Sequence, residues 1–419
     1  IGSMVGGGVF ALSGTAIETA GPGAIVAFIM AGIIVLFSAL SLAVVAGKTP
    51  AGEAGYDEVG DILGKPWEFV TSWCFYLNAV IVTAFVLNAF GLYFHEFVMN
   101  SASVLTIGII AAVALGFINF APAGIIGRFE SVLVIIKLAV LAFLIIVGLP
   151  HLTHSSLSPL LPHGSSGLMS AGSTLFIAFL GFNVITNISV EIDNARKNVP
   201  RAIVASMIIV TIVYIGVVLA MLAAHLGTYT EASVGVAAQK LAGPIGGIAI
   251  VVGALLATLS AANANMLGAS ETIMRMAEKK SVPTILGLPF HRHPIISVSI
   301  GVIVAIGLMM SGQINFVVNL ANVTAIVALI VINLAALRIF WQQRGKRTVA
   351  VVMPLIGIVG AAWQFMYLSA ASLWWGAGLI AAGLVMYVFR EKFIISHHHK
   401  RISKTVRSHR SPLVAALRR

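Results

Sequence analysis

Eleven apolar runs follow one another along this chain, each close to the roughly 20 apolar residues that a helix needs to cross a bilayer. Hydrophobic residues make up 59% of the 419 residues and charged residues 9%, whereas about a quarter of an average soluble protein is charged. The sequence therefore predicts an all-α polytopic membrane protein. The runs lie at residues 22–46, 67–98, 103–120, 129–149, 168–190, 202–226, 244–276, 295–310, 314–340, 349–368 and 372–389.

The chain begins without Met and already inside an apolar segment, so we expect the entry half of a first helix to be missing from it. Counting that truncated helix brings the prediction to about twelve transmembrane helices. We predict a single transmembrane domain over residues 1–389, followed by a basic tail over residues 390–419.

Two of the apolar segments are interrupted. Glycines at positions 2, 6, 7 and 8 interrupt the first segment, and Gly181-Phe182-Asn183 interrupts the sixth. Irregular backbone at membrane depth survives only where protein or a water-filled cavity surrounds it. Corresponding interruptions in the two halves of a chain are typical of secondary transporters, which bind their substrates there. For the first segment alone, close helix packing at Gly2 and Gly6 is an equally good explanation.

The two interruptions predict complementary halves of one binding site. Backbone N–H groups at the start of the half-helix from Val9 onward, with the positive end of its dipole, favour a carboxylate. Carbonyl groups of an unwound sixth helix can accept an ammonium group, and nearby aromatic rings can cover the substrate, although packing is the ordinary role of a single Phe. The predicted substrate-binding residues are Met4, Gly6, Gly7, Gly8, Phe176, Phe179, Leu180, Gly181, Phe182 and Asn183.

Lys137 is the most unusual single residue, because it lies inside the apolar run 132–141. An ionisable residue within a membrane span is a functional candidate by default, and burial disfavours the charged form of a lysine. We therefore predict that Lys137 couples transport to protons. The alternatives are a structural pairing and a side chain that extends to the cytoplasmic surface. The uncharged polar residues of the spans, among them Asn78, Ser260 and Asn265, are interpreted mainly as interhelical hydrogen-bonding groups.

Lys and Arg residues are distributed unevenly between the two ends of the predicted helices. If the amino terminus is cytoplasmic, all 25 fall on the cytoplasmic side except Lys240, in an outside loop, and Lys137. Because positively charged loops face the cytoplasm, the net charge of +11 indicates topology, with a cytoplasmic carboxyl terminus in the cell membrane. Nucleic-acid binding is not predicted, since the charges are scattered over separate loops without a recognition fold.

Several of these segments resemble the amino acid-polyamine-organocation (APC) superfamily, in particular its prokaryotic amino-acid permeases, which include archaeal proton-coupled members of broad specificity. The resemblance covers essentially the whole chain. Its most specific part is 181–187, GFNVITN, followed by 197–203, KNVPRAI. The other segments that carry it are the glycine-rich start ending in Gly8-Val9-Phe10, Ala54-Gly55-Tyr56, Ile136-Lys137-Leu138, 263–266 and 276–278.

The resemblance implies a five-plus-five inverted-repeat (LeuT-like) fold with broken helices one and six and two peripheral helices. The repeats would cover about 1–150 and 165–341, and the peripheral helices about 349–389. The resemblance further implies that substrate binds to unwound backbone, that a bundle rocks against a scaffold, and that Lys137 takes the place of a bound cation. Many relatives carry Glu where this chain has Asn183, which cannot titrate.

Together these observations predict a secondary transporter that imports amino acids by proton symport, with a small-molecule amino acid and the lipid bilayer as its partners. The alternatives are an amino acid/amine exchanger without proton coupling and a substrate sensor that does not transport. No enzyme motif or set of metal ligands is found in the spans, so we predict no enzymatic activity and no cofactor beyond the proton. We predict neutral amino acids as substrates, since the spans show no buried acid to pair a cationic side chain.

Overall fold

The computed structural model describes residues 1–47, 58–119, 126–182, 194–287, 295–342 and 348–390. Twelve long helices make up most of this described part, and a short helix, Glu58–Leu63, precedes the third. The long helices are α1 Gly7–Ala20, α2 Ala24–Ala46, α3 Lys65–Phe97, α4 Val104–Ile118, α5 Ile126–Gly148, α6 Gly164–Leu175, α7 Ala195–Ala223, α8 Ser233–Glu278, α9 Ile295–Met309, α10 Ile314–Gln342, α11 Thr348–Gln364 and α12 Ala370–Arg390.

The twelve helices follow the twelve predicted segments in order, and the prediction of an all-α polytopic membrane protein is confirmed. Eight of the described helical segments are long and apolar enough to cross a membrane, one of them formed by α1 and α2 together, and α4 and α9 are shorter apolar helices. No strand occurs in the described part of the chain. The chain is therefore a membrane protein that crosses the bilayer several times.

The largest departure from the predicted boundaries is in α8, which was predicted to begin at residue 244. The helix instead begins at Ser233 and continues across a kink, where Gly243 has a φ of 69° that favours glycine and Pro244 follows. Pro is tolerated there because it starts a new helical stretch. A second departure is in α7, whose first turns contain Lys197 and Arg201, both predicted to lie in a loop.

The helix α3 lies at the centre of the protein, where it packs against α4, α8 and α10. Its buried residues include Cys74, Asn78 and Asn88. The last helix, α12, also packs on α3: the indole Nε1 of Trp73 donates to the carbonyl of Leu379 at 3.1 Å, and Phe69 stacks on Tyr387 with ring centroids 4.6 Å apart. The helix α1 packs against α6, α7 and α8.

Both predicted interruptions lie in the interior. The first six residues form turns, with the N–H groups of Met4 and Val5 both donating to the carbonyl of Ile1, and α1 begins only at Gly7. The helix α6 ends at Leu175, and a single 3-10 turn, Phe176–Phe179, follows it. The backbone is then extended at Leu180, with ψ 154°, and turns at Gly181 with φ 113°, a conformation that favours glycine.

Candidate functional site

A cavity lies where the two interrupted segments meet. It encloses a volume of about 40 Å³ and is partly open at one side. The start of α1 and the end of α6 form one wall, and α3 and α8 form the other. The lining residues are Ser3, Met4, Gly6, Gly7, Gly8, Phe75, Asn78, Ala79, Val82, Phe85, Val86, Ile177, Ala178, Leu180, Gly181, Ala261 and Asn265.

The three consecutive glycines allow the start of α1 to approach its neighbours closely. A Cβ atom on Gly6 would lie 2.6 Å from the Cβ of Ala261, and one on Gly7 would lie 2.8 Å from a methyl group of Val86. A Cβ on Gly8 would lie 2.8 Å from the Cα of Ala178 in the other interrupted segment. Gly6 therefore serves close packing, which was the alternative interpretation for Gly2 and Gly6, and so do Gly7 and Gly8. The same three glycines line the cavity.

The first turn of α1 presents hydrogen-bond donors to this cavity. The first N–H groups of any helix have no partner within the helix, and α1 has no side-chain cap at Gly6. No described residue accepts a hydrogen bond from the N–H groups of Gly7 or Gly8. The positive end of the helix dipole lies at the same place. The arrangement suits an anionic or carbonyl-like group in the cavity.

The two interrupted segments are joined directly by Ser3, whose hydroxyl donates to the carbonyl of Gly181 at 2.9 Å. A Cβ atom on Gly181 would lie 2.8 Å from that hydroxyl oxygen. Leu180 lines the cavity next to this contact, and no described group donates to its carbonyl. The end of α6 therefore offers acceptor groups beside the donors of α1, on the same wall of the cavity.

Tyr214, on α7, joins the same two segments from behind. Its hydroxyl lies 2.7 Å from the carbonyl oxygen of Met4 and 2.9 Å from that of Ala178, so one hydroxyl proton is shared between two main-chain acceptors. The residue is fully buried. Sequence reasoning missed it, because its partners are main-chain atoms that no side-chain pattern reveals.

The structure brings Met4, the three glycines, Leu180 and Gly181 together at the cavity, but not the three predicted aromatic residues. Phe176, Phe179 and Phe182 are buried and do not belong to the lining. Phe179 instead packs behind it, with ring centroids 5.3 Å from Tyr214 and 6.2 Å from Phe28. Asn183 lies outside the described residues.

Lys137 is fully buried and does not extend to the membrane surface. Its Nζ atom donates to the carbonyl of Gly2 at 2.5 Å and to the hydroxyl of Ser260 at 3.3 Å. The side chain thus connects α5 with α8 and with the unwound start of the chain. It does not line the cavity, but one of its partners is only one residue away from Ser3, which does.

Two asparagines on the opposite wall are held by their amide nitrogens. The Nδ2 atom of Asn78 donates to the carbonyl of Ala321 at 2.8 Å and to the hydroxyl of Thr324 at 3.4 Å, both on α10. The Nδ2 atom of Asn265 donates to the carbonyl of Ala261 at 2.8 Å. The predicted interhelical role is therefore right for the amide nitrogen of Asn78, and the cavity lining adds a second role for both residues.

The end of α1 away from the interruption is covered by the loop between α7 and α8. The carboxylate of Glu18 accepts the N–H of Tyr229 at 3.0 Å. Gly14 lies directly against the carbonyl of Thr230, in a contact that leaves no room for a side chain. Burial raises the pKa of the Tyr229 hydroxyl. The cavity is therefore separated from this end of the protein by packed chain.

None of the described residues that line the cavity is acidic or basic. No group of three or more His, Cys, Asp or Glu residues in the described part of the chain is placed to hold a metal ion. The site can therefore bind by main-chain dipoles, amide groups and apolar contacts, without a charged side chain at its wall.

Comparison with known proteins shows similarity over most of the chain. The family model of the amino acid permeases matches residues 1–378. The inner membrane transport protein YbaT of Escherichia coli is 28% identical, and the match covers 92% of this chain and 93% of that protein. The methylthioribose transporter of Bacillus subtilis is 26% identical over 96% of this chain and 92% of its own length. The serine/threonine exchanger SteT of Bacillus subtilis is 29% identical over 74% of each chain.

Proposed function

The chain belongs to the amino acid permease family, whose members are transporters and not enzymes, and from this premise we propose that it imports amino acids by proton symport through alternating access. The observation that carries the proposal is the cavity at which the donors of α1 lie beside the acceptors of α6. An α-amino acid carries one carboxylate and one ammonium group. The two halves of the site match these two charges.

In this proposal the carboxylate binds the N–H groups of Gly6, Gly7 and Gly8. The helix dipole and the free donors of the first turn stabilise it without a charged side chain. The ammonium group binds the carbonyl of Leu180, with those of Phe179 and Gly181 nearby. The Gly181 carbonyl already accepts from Ser3, but a carbonyl oxygen has two lone pairs and can accept again.

Lys137 couples the proton to the movement. A protonated lysine has three donors, and two of them bind Gly2 and Ser260. When the proton leaves, the bond to the Gly2 carbonyl weakens, and the segment that begins α1 loses a charged anchor. Protonation therefore favours the conformation in which this segment is held against α5 and α8, and proton release favours the other one.

Exchange of one amino acid for another amine or amino acid, without protons, is the second candidate. It is supported by the similarity to a protein named as a serine/threonine exchanger. In an exchanger, Lys137 would remain protonated and serve only to hold the start of α1. The two candidates share the same cavity and differ only in whether Lys137 releases its proton during the cycle.

We further propose that the protein lies in the cell membrane with its carboxyl terminus in the cytoplasm, that it contains two repeats, about 1–150 and 165–341, and that a bundle of helices rocks against a scaffold during transport. The uneven distribution of Lys and Arg supports this orientation. In this orientation the Glu18–Tyr229 contact closes the outside.

The experiment that tests the proposal is uptake of a panel of radiolabelled amino acids into proteoliposomes, with and without an inward proton gradient. Concentrative uptake that depends on the gradient supports proton symport. Uptake only into vesicles preloaded with amino acid would instead establish exchange. If no amino acid of the panel is taken up, and the purified protein unfolds cooperatively and is therefore folded, amino-acid transport is contradicted.

A further inference from the structure

We infer that the cavity selects substrates whose side chain donates a hydrogen bond, namely small neutral amino acids with a hydroxyl or a primary amide group such as serine, threonine and asparagine. The inference rests on the proposed function, because it assumes that the main chain of the amino acid lies between α1 and α6. The side chain of such a substrate then points towards the wall that α3 and α8 provide. Two amide groups on that wall carry the argument.

The orientation of the Asn78 amide is fixed by its partners. A carbonyl oxygen can only accept a hydrogen bond, so the group that binds the carbonyl of Ala321 must be the NH₂ of Asn78. The second N–H is directed at the hydroxyl of Thr324. Both donors of this amide are therefore used on α10. The Oδ1 atom remains, on a residue that lines the cavity.

The Asn265 amide is held in the same way within α8. Its NH₂ binds the carbonyl of Ala261, one turn earlier, so its Oδ1 atom is also left over. No described residue donates to the Oδ1 atom of either asparagine, and neither oxygen belongs to the polar atoms that are sealed in the protein without a partner. Both oxygens therefore keep some contact with open space, and both residues line the cavity.

These two oxygens penalise an apolar side chain. When the cavity is empty, water can bind them. A valine or leucine side chain would displace that water and leave two acceptors unsatisfied, which is the costly outcome for a buried polar group. A substrate side chain with a hydroxyl or amide group can instead donate a hydrogen bond to these oxygens in place of the displaced water. The apolar part of the same wall, formed by Phe75, Ala79 and Val82, contacts the carbon atoms of a small side chain equally well in both cases.

Charged side chains are disfavoured for a different reason. A carboxylate would face two oxygen dipoles of the same sign and gain no donor. A lysine or arginine side chain would find acceptors but no opposite charge, because the lining described above contains no Asp or Glu. The class that remains is the neutral donor, and the small volume of the cavity restricts it to short side chains.

The test compares pairs of substrates that differ mainly in whether the side chain carries a hydrogen-bond donor. Proteoliposomes containing the full chain are given threonine or valine, serine or alanine, and asparagine or leucine, and kcat/KM is measured for each. We expect threonine to exceed valine by about tenfold or more, since a site built to bind a hydroxyl discriminates strongly against the analogue that lacks it. Equal values for threonine and valine would overturn the inference but leave amino-acid transport intact. Failure of every amino acid would overturn both.

Variants of Asn265 show which group is responsible. In Asn265→Leu, loss of one acceptor should lower the ratio of threonine to valine about 2- to 10-fold, mainly by improving valine. Asn265→Asp keeps an oxygen and should keep the preference for threonine. Asn333→Leu is the matched control, because Asn333 is buried on α10, donates to Ser38 and does not line the cavity. An unchanged ratio in Asn265→Leu would assign the discrimination elsewhere and contradict the inference.

Discussion

The Nζ atom of Lys137 lies 2.5 Å from the carbonyl oxygen of Gly2, so a side chain from the middle of α5 holds the unwound segment in front of α1. Lys137 is fully buried, and the same ammonium group also reaches Ser260 on α8. A basic side chain thus connects two neighbouring helices with the main chain next to the cavity. Its charge state is therefore positioned to influence whether the start of α1 stays in place.

Replacing Lys137 by Gln should separate accumulation from exchange. Gln can still donate to the Gly2 carbonyl, but it cannot gain or lose a proton at any accessible pH. We expect Lys137→Gln to lose concentrative uptake driven by an inward proton gradient and to retain counterflow in preloaded vesicles. Lys240→Gln, in which the removed lysine binds the carbonyl of His225 away from the cavity, should keep both activities. Full gradient-driven accumulation by Lys137→Gln would refute proton coupling through this residue.

Removing the hydroxyl of Tyr214 should loosen the joint between the two interrupted segments. In Tyr214→Phe the carbonyls of Met4 and Ala178 lose a common donor, which we expect to cost about 1–3 kcal/mol of stability. Thermal unfolding in detergent and the KM for uptake measure the effect. Tyr229→Phe is the control, because its hydroxyl makes a longer, only partly buried bond of 3.4 Å. Equal melting temperatures for the two variants would show that the Tyr214 bonds contribute nothing.

Adding one methyl group at Gly181 should disturb the end of α6. The φ of 113° lies outside the range that L-residues adopt comfortably, and the added Cβ would contact Ser3 at 2.8 Å. We expect Gly181→Ala to reduce uptake by about tenfold or more, because backbone strain of about 1–3 kcal/mol falls on the site itself. Gly378→Ala, in α12 where nothing lies within 4 Å of the added atom, should transport normally. Normal transport by Gly181→Ala would show that the turn is not required.

A methyl group at Gly8 should separate the two interrupted segments in another way. The backbone of Gly8 is helical, so the expected effect comes from contact alone: the new Cβ would meet the Cα and Cβ atoms of Ala178 at 2.8 Å. Gly8→Ala should therefore lower uptake, and it should lower the melting temperature through a loss of stability typical of overpacking, about 1–3 kcal/mol. Gly307→Ala in α9, with open space around the added atom, should be neutral. Retained uptake in Gly8→Ala would show that the contact can relax.

The proposed orientation can be tested with α8, whose ends lie on opposite sides of the membrane in this proposal. Cys74 is fully buried, so it should not react with a membrane-impermeant thiol reagent. We expect Gln239→Cys to be labelled in intact cells and Glu278→Cys to be labelled only after permeabilisation. Both positions are exposed. The reverse pattern would place the carboxyl terminus outside and contradict the assignment from positive charge.

The number and order of the helices were predictable because the length of an apolar run alone determines whether it can cross a bilayer. The start of α8 was not predictable. Gly243 and Pro244 together are typical of a helix boundary, but the helix continues across them with a kink. Local sequence could not reveal that Ser233 and the residues after it continue the same element, because tertiary packing decides whether a kink separates two helices or joins them.

The centre of the site followed from the sequence at the glycines and at Gly181, where only glycine fits the backbone or the packing. The aromatic residues illustrate the limit. A Phe beside a break can cover a ligand or pack behind it, and Phe179 packs behind, against Phe28 and Tyr214. Tyr214 could not be found from the sequence, because its partners lie 210 and 36 residues away and are main-chain carbonyls.

The hydroxyl of Tyr214 holds two residues by hydrogen bonds to their main-chain carbonyl groups. A hydrogen bond to a main-chain carbonyl does not depend on the side chain of that residue. Met4 can therefore be substituted without losing its bond to Tyr214. Substitutions that change the side chains at the cavity can therefore alter the substrate range while the main-chain hydrogen bonds of Tyr214 stay in place. We expect directed evolution of the cavity wall to yield new substrate preferences long before it yields proteins that no longer move.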